Sequence, residues 1–596
     1  MLIASVACLG RSQAAASPPS SLNEASPLVV GPVTGGSHGR PWFAARFQVA
    51  DYGYSEQEYF FSGVARTFNS DLPAASYETR MLVYRPIDPR RFSGNALVEW
   101  NNVSGQMDLP VDFEWAHDQV FATGDAYVEV TVQPTGACGI DQPVTVGAVS
   151  AAACLPLSLK GFDPVRYAPV SVPGDAYSYD IYSQAGAALR SPRGVDPLRG
   201  LRPRHVIAVG ESQSAVELDG YVASGADAAA HVYDGMLIDA DAQSRQPAAW
   251  RVPTLQIWSE ESVQPVASMT RRNDVIWSVA GAPHIDRYWV DQTAGLSASL
   301  LARPLLTRAQ EEAEEDAASS YGQEGPGPSA VACPLGEFPR RYVVDAAIRA
   351  LEEWVAGGER APSAPSIAVT GIGAVIDAQP LAVAIPGLPT KSMNLAALAT
   401  PLIDLQRDSH GTALGGLRLP FISVPVAGYT GGTCALLGTS SAFASSELHA
   451  RYPSHAIYVG KLLAATKMAV AQRFMTVTDG IDLLQRACAS AIPAWGTTRL
   501  TDQPTLCSSL DRELGPGGST SAPDVRSAAD RTRKHPAILP EAPGGSLAAT
   551  GGPGASGLAL VALVIGVLAA RASATLRRSR PSLRGRRAGD PRCSSR

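Results

Sequence analysis

A chain of 596 residues with 45% hydrophobic and 17% charged residues can bury a large core, and its composition is that of a globular protein. The 55 glycines and 46 prolines add many turns and some sequence that need not pack. A formal net charge of -6, with no basic stripe interleaved with aromatics in the body of the chain, argues against nucleic acid as a partner.

The chain opens on a short apolar run, Met1 to Gly10, followed by "RSQAAASPPSS". Small residues at 14 to 16 offer a signal-peptidase site although a basic n-region is missing, so residues 1–29 read as a leader, a clipped signal peptide. From residue 30 to about residue 500, short β-branched runs alternate with Ala-rich helical stretches. That is the signature of an α/β fold with a mainly parallel sheet flanked by helices. The expected strands are 78–86, 95–102, 126–133, 205–210, 233–239, 252–259 and 273–281, with helices over 180–191 and 212–225. Residues 139–174 break the alternation with Pro, Gly and two cysteines where an insertion would cover the end of the sheet, as a lid does. Residues 307–330 read as an acidic flexible loop, and "RYVVDAAIRALEEWVAGG" (341–358) as a helix ending in glycines.

Residues 508–556 are rich in Gly, Ser, Pro and Ala and read as a disordered stalk. Beyond it, Gly551 to Ala570 carries no charge and is followed by "RASATLRRSR", the pattern of a transmembrane helix with its arginines kept on the cytoplasmic side. Leu547-Ala548-Ala549-Thr550-Gly551 resembles the LAxTG sorting signal cut by sortases in high-GC Gram-positive bacteria, so 547–578 is expected to act as sorting signal and membrane segment, with 579–596 a basic cytoplasmic tail. The bulk of the chain is thus expected outside the cell, held at the cell wall or by a single membrane pass. Six cysteines outside the leader and tail agree with an oxidising compartment: Cys138, Cys154, Cys333, Cys434, Cys488 and Cys507. They allow 15 connectivities. The short-range choice is Cys138 with Cys154 and Cys488 with Cys507, leaving Cys333 with Cys434. No C-x-x-C spacing is present, so no metal is expected, nor any other cofactor.

The stretch "VIAVGESQSAVEL" (206–218) runs from an expected strand through Gly-Glu-Ser-Gln-Ser directly into an expected helix. This is the setting of a nucleophile elbow, in which a strained turn exposes a serine Oγ above the carboxyl edge of a sheet. The first small residue is Gly210; the second is Ser214, where the common pattern has Gly. Carboxylates follow the strand 252–259 at Glu260 and Glu261, and His284 follows the strand 273–281, in the chain order Ser, acid, His. His284 would be general base to Ser212, and Glu260 the orienting acid, with Glu261 as the alternative. The oxyanion would be held by the backbone N–H of Gln213 and by one at Asn102 or its neighbours in "WNNVSGQMD". Arg418, in "GGLRLPFISVP", could meet an anionic group of a substrate.

"ALVEWNNVSGQMDLPVDFEW", "YSYDIYSQAGAALR", "HVIAVGESQSA", "VPTLQIWSEESV", "WSVAGAPHID", "GGLRLPFISVPVA" and "LLGTSSAF" together resemble the bacterial α/β-hydrolase domain-containing proteins, a branch of the α/β-hydrolase superfamily, from about residue 30 to about residue 490. The resemblance implies an α/β-hydrolase fold and a serine hydrolase acting on small-molecule esters, with Ser212 and His284 carried over from matching motifs. At the acid the family stretch reads like "SETDV" where this chain has "SEESV", so Glu260 matches and Ser262 replaces an aspartate. Residues 363–401 look like a local expansion. Amide or lactone hydrolysis would use the same residues, and a catalytically silent surface binding module is the competing reading. Fold alone does not decide the substrate.

Overall fold

From His205 to Glu211 the chain sends Val206 and Ala208 into one apolar layer and Ile207 and Val209 into another. Such two-sided burial marks an inner strand of a parallel sheet. The computed structural model describes residues 26–514 except 69, 105–106, 140–153, 156, 241–248, 264–271, 290–303, 318–335, 373–380, 384–390, 394–402, 434–436, 491–506 and 508–513. A ten-stranded sheet runs through it, formed by β1 (Leu28–Val30), β2 (Tyr54–Ala65), β3 (Ala75–Pro86), β4 (Asn95–Trp100), β5 (Ala126–Val130), β6 (Arg193–Gly194), β7 (His205–Glu211), β8 (Gly235–Asp239), β9 (Thr254–Trp258) and β10 (Asp274–Ser278). Their order across the sheet is β10-β9-β8-β7-β4-β5-β3-β2-β1-β6.

From β5 through β4, β7, β8 and β9 to β10 every pairing is parallel, while β3 and β2 return antiparallel. The parallel half therefore gathers its carboxyl ends along one edge, where the loops that carry side-chain chemistry emerge. Six helices flank the sheet: α1 (Val111–Thr123), α2 (Ser178–Arg190), α3 (Gln213–Ala223), α4 (Arg341–Val355), α5 (His455–Ala471) and α6 (Val477–Ala489). α1, α4, α5 and α6 pack on the face of Ile207 and Val209, and α2 and α3 on the face of Val206 and Ala208.

All seven expected strands and the three expected helices fall on observed elements, with ends displaced by up to three residues. Four long elements were not anticipated, β2, α1, α5 and α6. β2 begins on the polar run Ser55-Glu56-Gln57-Glu58 and pairs along its whole length with β3. α1 is buried nearly all round, so it lacks the polar stripe that betrays a surface helix; its sequence marks are Pro110 at the start, acidic Asp112 and Glu114 in the first turn, and left-handed Gly124 at the end.

Part of the expected acidic loop is a helix, Arg308–Ala317, whose Glu311 is buried and accepts a hydrogen bond from Tyr52 Oη at 2.6 Å. That anchor gives an acidic segment a packed face, which composition could not indicate. Within the expected lid segment, residues 157–174 pack on the body: Phe162, Tyr167 and Val170 are in the core, and Ser171 bridges to Glu78 of β3. Cys138–Cys154 and Cys488–Cys507 are disulfide-bonded, whereas Cys333 and Cys434 lie outside the described residues. Residues 1–25 of the expected leader, the apolar segment 551–570, the LAxTG-like pentapeptide, the basic tail and all of the stalk except Leu514 also lie outside them, whereas residues 26–29, counted with the leader, belong to the body: Ser26 and Val29 are buried and Leu28 and Val29 pair with β2. Among the described residues no helix is long and apolar enough to cross a membrane.

Behind the loop that follows β4 sits a charged cluster with no access to water. Arg80 of β3 lies 3.2 Å from Glu58 of β2, 2.9 Å from Asp108 and 3.7 Å from Glu129 of β5, and also donates to Trp42 O and Thr131 Oγ1. Asp108 in turn accepts from Asn101 Nδ2 at 2.8 Å, so the cluster fixes the start of the β4 loop. Arg80→Met would leave Asp108 and Glu129 buried without their cation, Glu58 keeping Arg166 at 2.5 Å, and is expected to remove about 3–5 kcal/mol of stability. Urea denaturation checks this, and a loss below about 1 kcal/mol would mean that the acids neutralise themselves when the guanidinium is gone.

Candidate active site

Ser212 is the first residue beyond β7, and it turns the chain into α3 with φ 55° and ψ -112°. A non-glycine residue at positive φ with this ψ is held there only by its surroundings. Five hydrogen bonds hold it. Ser212 N–H donates to Asp239 O of β8 at 2.8 Å, and Ser212 O accepts from Val216 N–H at 3.0 Å. Ser214 Oγ donates to Glu211 O at 2.8 Å and accepts from Glu211 N–H at 3.0 Å, closing the turn with its hydroxyl. Asn102 Nδ2 donates to Glu211 O at 3.0 Å from the β4 loop. Gly210 completes the close approach of strand to helix, since a Cβ there would stand 2.9 Å from Leu218 Cδ1 and 3.0 Å from the Ser214 backbone.

Above the turn, His284 Nε2 lies 2.8 Å from Ser212 Oγ, and His284 Nδ1 lies 2.8 Å from Glu261 Oε1. His284 is only 2% exposed, while Ser212 is half-buried. Arg340, at the start of α4, holds the histidine loop from behind: its Nη1 donates to Pro283 O at 2.8 Å and His284 O at 2.7 Å, and its Nη2 pairs with Asp239. Burial alone would lower the pKa of His284, but the charge of Glu211 and the hydrogen bond and charge of Glu261 raise it above the ordinary histidine value.

The structure thus places Glu261 against the imidazole, where Glu260 was preferred. The chain enters a single tight turn at Glu260–Ser262 directly after β9, and consecutive side chains leave it in different directions. Glu260 turns away and accepts from Gly281 N–H at 2.8 Å, Gly431 N–H at 3.0 Å, Gly432 N–H at 3.3 Å and Arg407 Nη1 at 2.7 Å. Its role there is to tie three loops together. Glu261 Oε1 also accepts from Ser259 Oγ, and Ser259 bonds Ser262 Oγ at 2.8 Å, so the serine standing in place of an aspartate belongs to the support of the acid.

Gln213 begins α3, where first-turn N–H groups have no carbonyl partner within the helix. Asn102 does not offer its backbone N–H to this site, because that group donates to Leu109 O at 2.8 Å. Its neighbour Val103 does face the elbow, and its N–H donates to the side-chain Oε1 of Gln213 at 3.2 Å. Arg418 is elsewhere: it donates to Ala413 O at 2.6 Å and lines a small pocket with Asp408, His410 and Arg451 that includes none of Ser212, His284 and Glu261. Among the described residues, His117, Asp118 and Glu311 bring metal-ligand atoms within 4.8 Å of one another. Glu311 there already accepts from Tyr52 and lies 3.2 Å from His117 Nε2 and 4.0 Å from Arg46.

A family model described as an α/β hydrolase domain matches residues 29–485. No curated protein matches the chain. Among solved structures, esterase Est22 is 10% identical with a TM-score of 0.23, covering 36% of this chain and 67% of its own. XC6422 from Xanthomonas campestris, described as an α/β serine hydrolase without lid, is 14% identical with a TM-score of 0.22, covering 40% and 94%. Brefeldin A esterase, a bacterial homologue of human hormone sensitive lipase, is 11% identical with a TM-score of 0.20, covering 43% and 67%.

The tight seat of Gly210 gives a direct check on the elbow. Gly210→Val would overpack the contact with Leu218 and Ser214 and is expected to cost about 1–3 kcal/mol, seen as a lowered melting temperature. A variant as stable as the parent would mean that strand and helix can separate there without cost.

Proposed function

Because the chain belongs to the α/β-hydrolase-domain family, its model matching residues 29–485, we propose that it is a serine hydrolase that cleaves carboxylic esters through an acyl-enzyme on Ser212. The observation that carries this reading is the continuous line from Ser212 Oγ through both nitrogens of His284 to Glu261, with both contacts at 2.8 Å, on a strained turn. In this mechanism Ser212 Oγ attacks the ester carbonyl carbon while its proton passes to His284 Nε2, and the carbonyl π pair moves onto oxygen. Collapse of the tetrahedral intermediate breaks the bond to the alkoxide, which leaves as alcohol with the Nε2 proton. Water then repeats the sequence and frees the acid. Glu261 keeps the proton on Nδ1 and stabilises the imidazolium.

The oxyanion is assigned to the N–H of Gln213 and that of Val103. The Gln213 side-chain oxygen, which holds Val103 N–H in the unliganded chain, gives way to the substrate oxygen. The two disulfides support an oxidising compartment, and with the leader and the C-terminal sorting pattern they make an extracellular, surface-anchored enzyme part of the same proposal.

A fluorophosphonate probe tests the activation of Ser212 without knowledge of the substrate. Wild type is expected to label, and Ser212→Ala and His284→Ala to lose labelling. Glu261→Gln should label at least 100-fold more slowly, on the order of the loss when a triad acid cannot fix the tautomer. Glu260→Gln should label within about tenfold of wild type, since its carboxylate does not touch the imidazole. A folded wild type that does not label would overturn the hydrolase assignment in favour of a silent surface binding module.

A further inference from the structure

His284 has a second carboxyl neighbour that the triad does not use. Glu211, the residue before the nucleophile, places Oε1 3.1 Å from His284 Nε2, the same nitrogen that meets Ser212 Oγ. Both side chains are buried, Glu211 being 1% exposed and His284 2%. Glu211 Oε2 accepts from Asn102 Nδ2 at 3.1 Å, whereas Oε1 has no conventional hydrogen bond among the described residues. With Nδ1–H directed at Glu261, a neutral imidazole would present the lone pair of Nε2 to the lone pairs of Glu211 Oε1. Two acceptors at this separation, both away from water, repel each other. A proton between them removes the conflict, as a carboxylic acid facing Nε2 or as a carboxylate facing an imidazolium.

We propose that Glu211 is a positioning residue that shares one proton with His284 Nε2, so that the Glu211–His284 pair, rather than the histidine alone, governs when Ser212 can be deprotonated. The inference rests on the serine-hydrolase reading above. While the shared proton is present, Nε2 has no free lone pair for the Ser212 proton. When it is lost to solvent, Nε2 becomes the base and Glu211 a carboxylate. The Ser212 proton then arrives on an imidazole flanked by negative charge on both sides, and the imidazolium that forms is stabilised by Glu261 at Nδ1 and Glu211 at Nε2.

The groups around the pair set the balance. Burial pushes the Glu211 carboxyl up to about 7, opposed by His284 and Arg340 and helped by Asp239. Glu99 of β4 and Asp112 of α1 also interact with Glu211, and burial raises both above the ordinary carboxylate value. Arg340 is a buried cation on this side of the site and pairs with Asp239. An opposite charge at contact distance raises the pKa of a histidine by about 1–3 units, and one unit is a tenfold change in protonation.

The experiment reads protonation directly, on a chain that cannot turn over. In Ser212→Ala labelled with 15N-histidine and 13C-glutamate, His284 Nε2 and the Glu211 carboxyl are expected to titrate together with a common midpoint. Adding Glu211→Gln to that chain should lower the His284 midpoint by about one unit. Independent titration of the two groups, or an unchanged His284 midpoint in the double variant, would overturn the proposal. The common midpoint in Ser212→Ala stands as the deciding measurement where the double variant does not fold. In the active chain, Glu211→Gln should shift the acid limb of kcat/KM down by about one pH unit and lower the alkaline plateau of kcat more than it changes KM. An acid limb that stays in place would count against the proposal. Failure of wild type to react with fluorophosphonate would strike the hydrolase reading alone, because the shared proton is read without the nucleophile.

Discussion

The left-handed turn at Ser212 is the constraint around which the carboxyl edge of the sheet is arranged. Holding a serine at φ 55° and ψ -112° costs about 1–3 kcal/mol, so the neighbouring structure must over-determine it. The supports come from three directions: Asp239 O from β8, Asn102 from the β4 loop and Ser214 from the first turn of α3. Two of those supports are themselves fixed by buried polar chemistry. The β4 loop is held through Asn101 and Asp108 by Arg80, and Asp239 is held by Arg340. The strain is therefore distributed over much of the parallel half of the sheet.

Arg340 links this turn to the rest of the site. It joins Asp239, whose carbonyl receives the Ser212 N–H, to the backbone carbonyls of Pro283 and His284. Its guanidinium also lies over the Trp115 ring of α1, 4.5 Å from the centroid. Ser212 and His284 thus share one rigid buried anchor although they lie on loops after different strands. Arginine suits this place because a planar guanidinium can serve two carbonyls and a carboxylate at once and stays charged when buried. A lysine could offer no such fork.

The strands that the sequence announced were those with β-branched runs, and these include every strand that carries a proposed catalytic residue. Their carboxyl ends located Ser212, His284 and the pair Glu260-Glu261 within a few residues, because an open parallel sheet exposes its chemistry only there. What pattern could not resolve was direction. Glu260 and Glu261 are adjacent in one turn, and the choice between them depends on how that turn meets the loops at Gly281 and Gly431, far away in the chain. The choice among Asn102 and its neighbours was open for a similar reason: the Asn102 N–H is consumed by a bridge to Leu109 that only the folded loop reveals. Arg340 left a weak signal, the first of two arginines at the start of an amphipathic helix, and nothing in the sequence tied it to His284. The replacement of Gly by Ser at 214, which weakened the motif on paper, is explained by the hydroxyl that closes the elbow.

The nearness of Glu211 to the imidazole follows from the same turn. In an extended strand adjacent side chains point to opposite faces, so residues 211 and 212 could not approach one nitrogen if β7 simply continued. The positive φ at Ser212 breaks that alternation. It swings Oγ around until it lies 2.8 Å from His284 Nε2 while Glu211, still in the strand, reaches 3.1 Å from the same atom. A relaxed backbone at 212 would separate the two and leave a buried carboxyl with no group to share its proton. The conformation that turns Ser212 Oγ toward His284 is thereby also the one that brings the Glu211 carboxyl to the same nitrogen, so the backbone geometry of one residue sets both contacts.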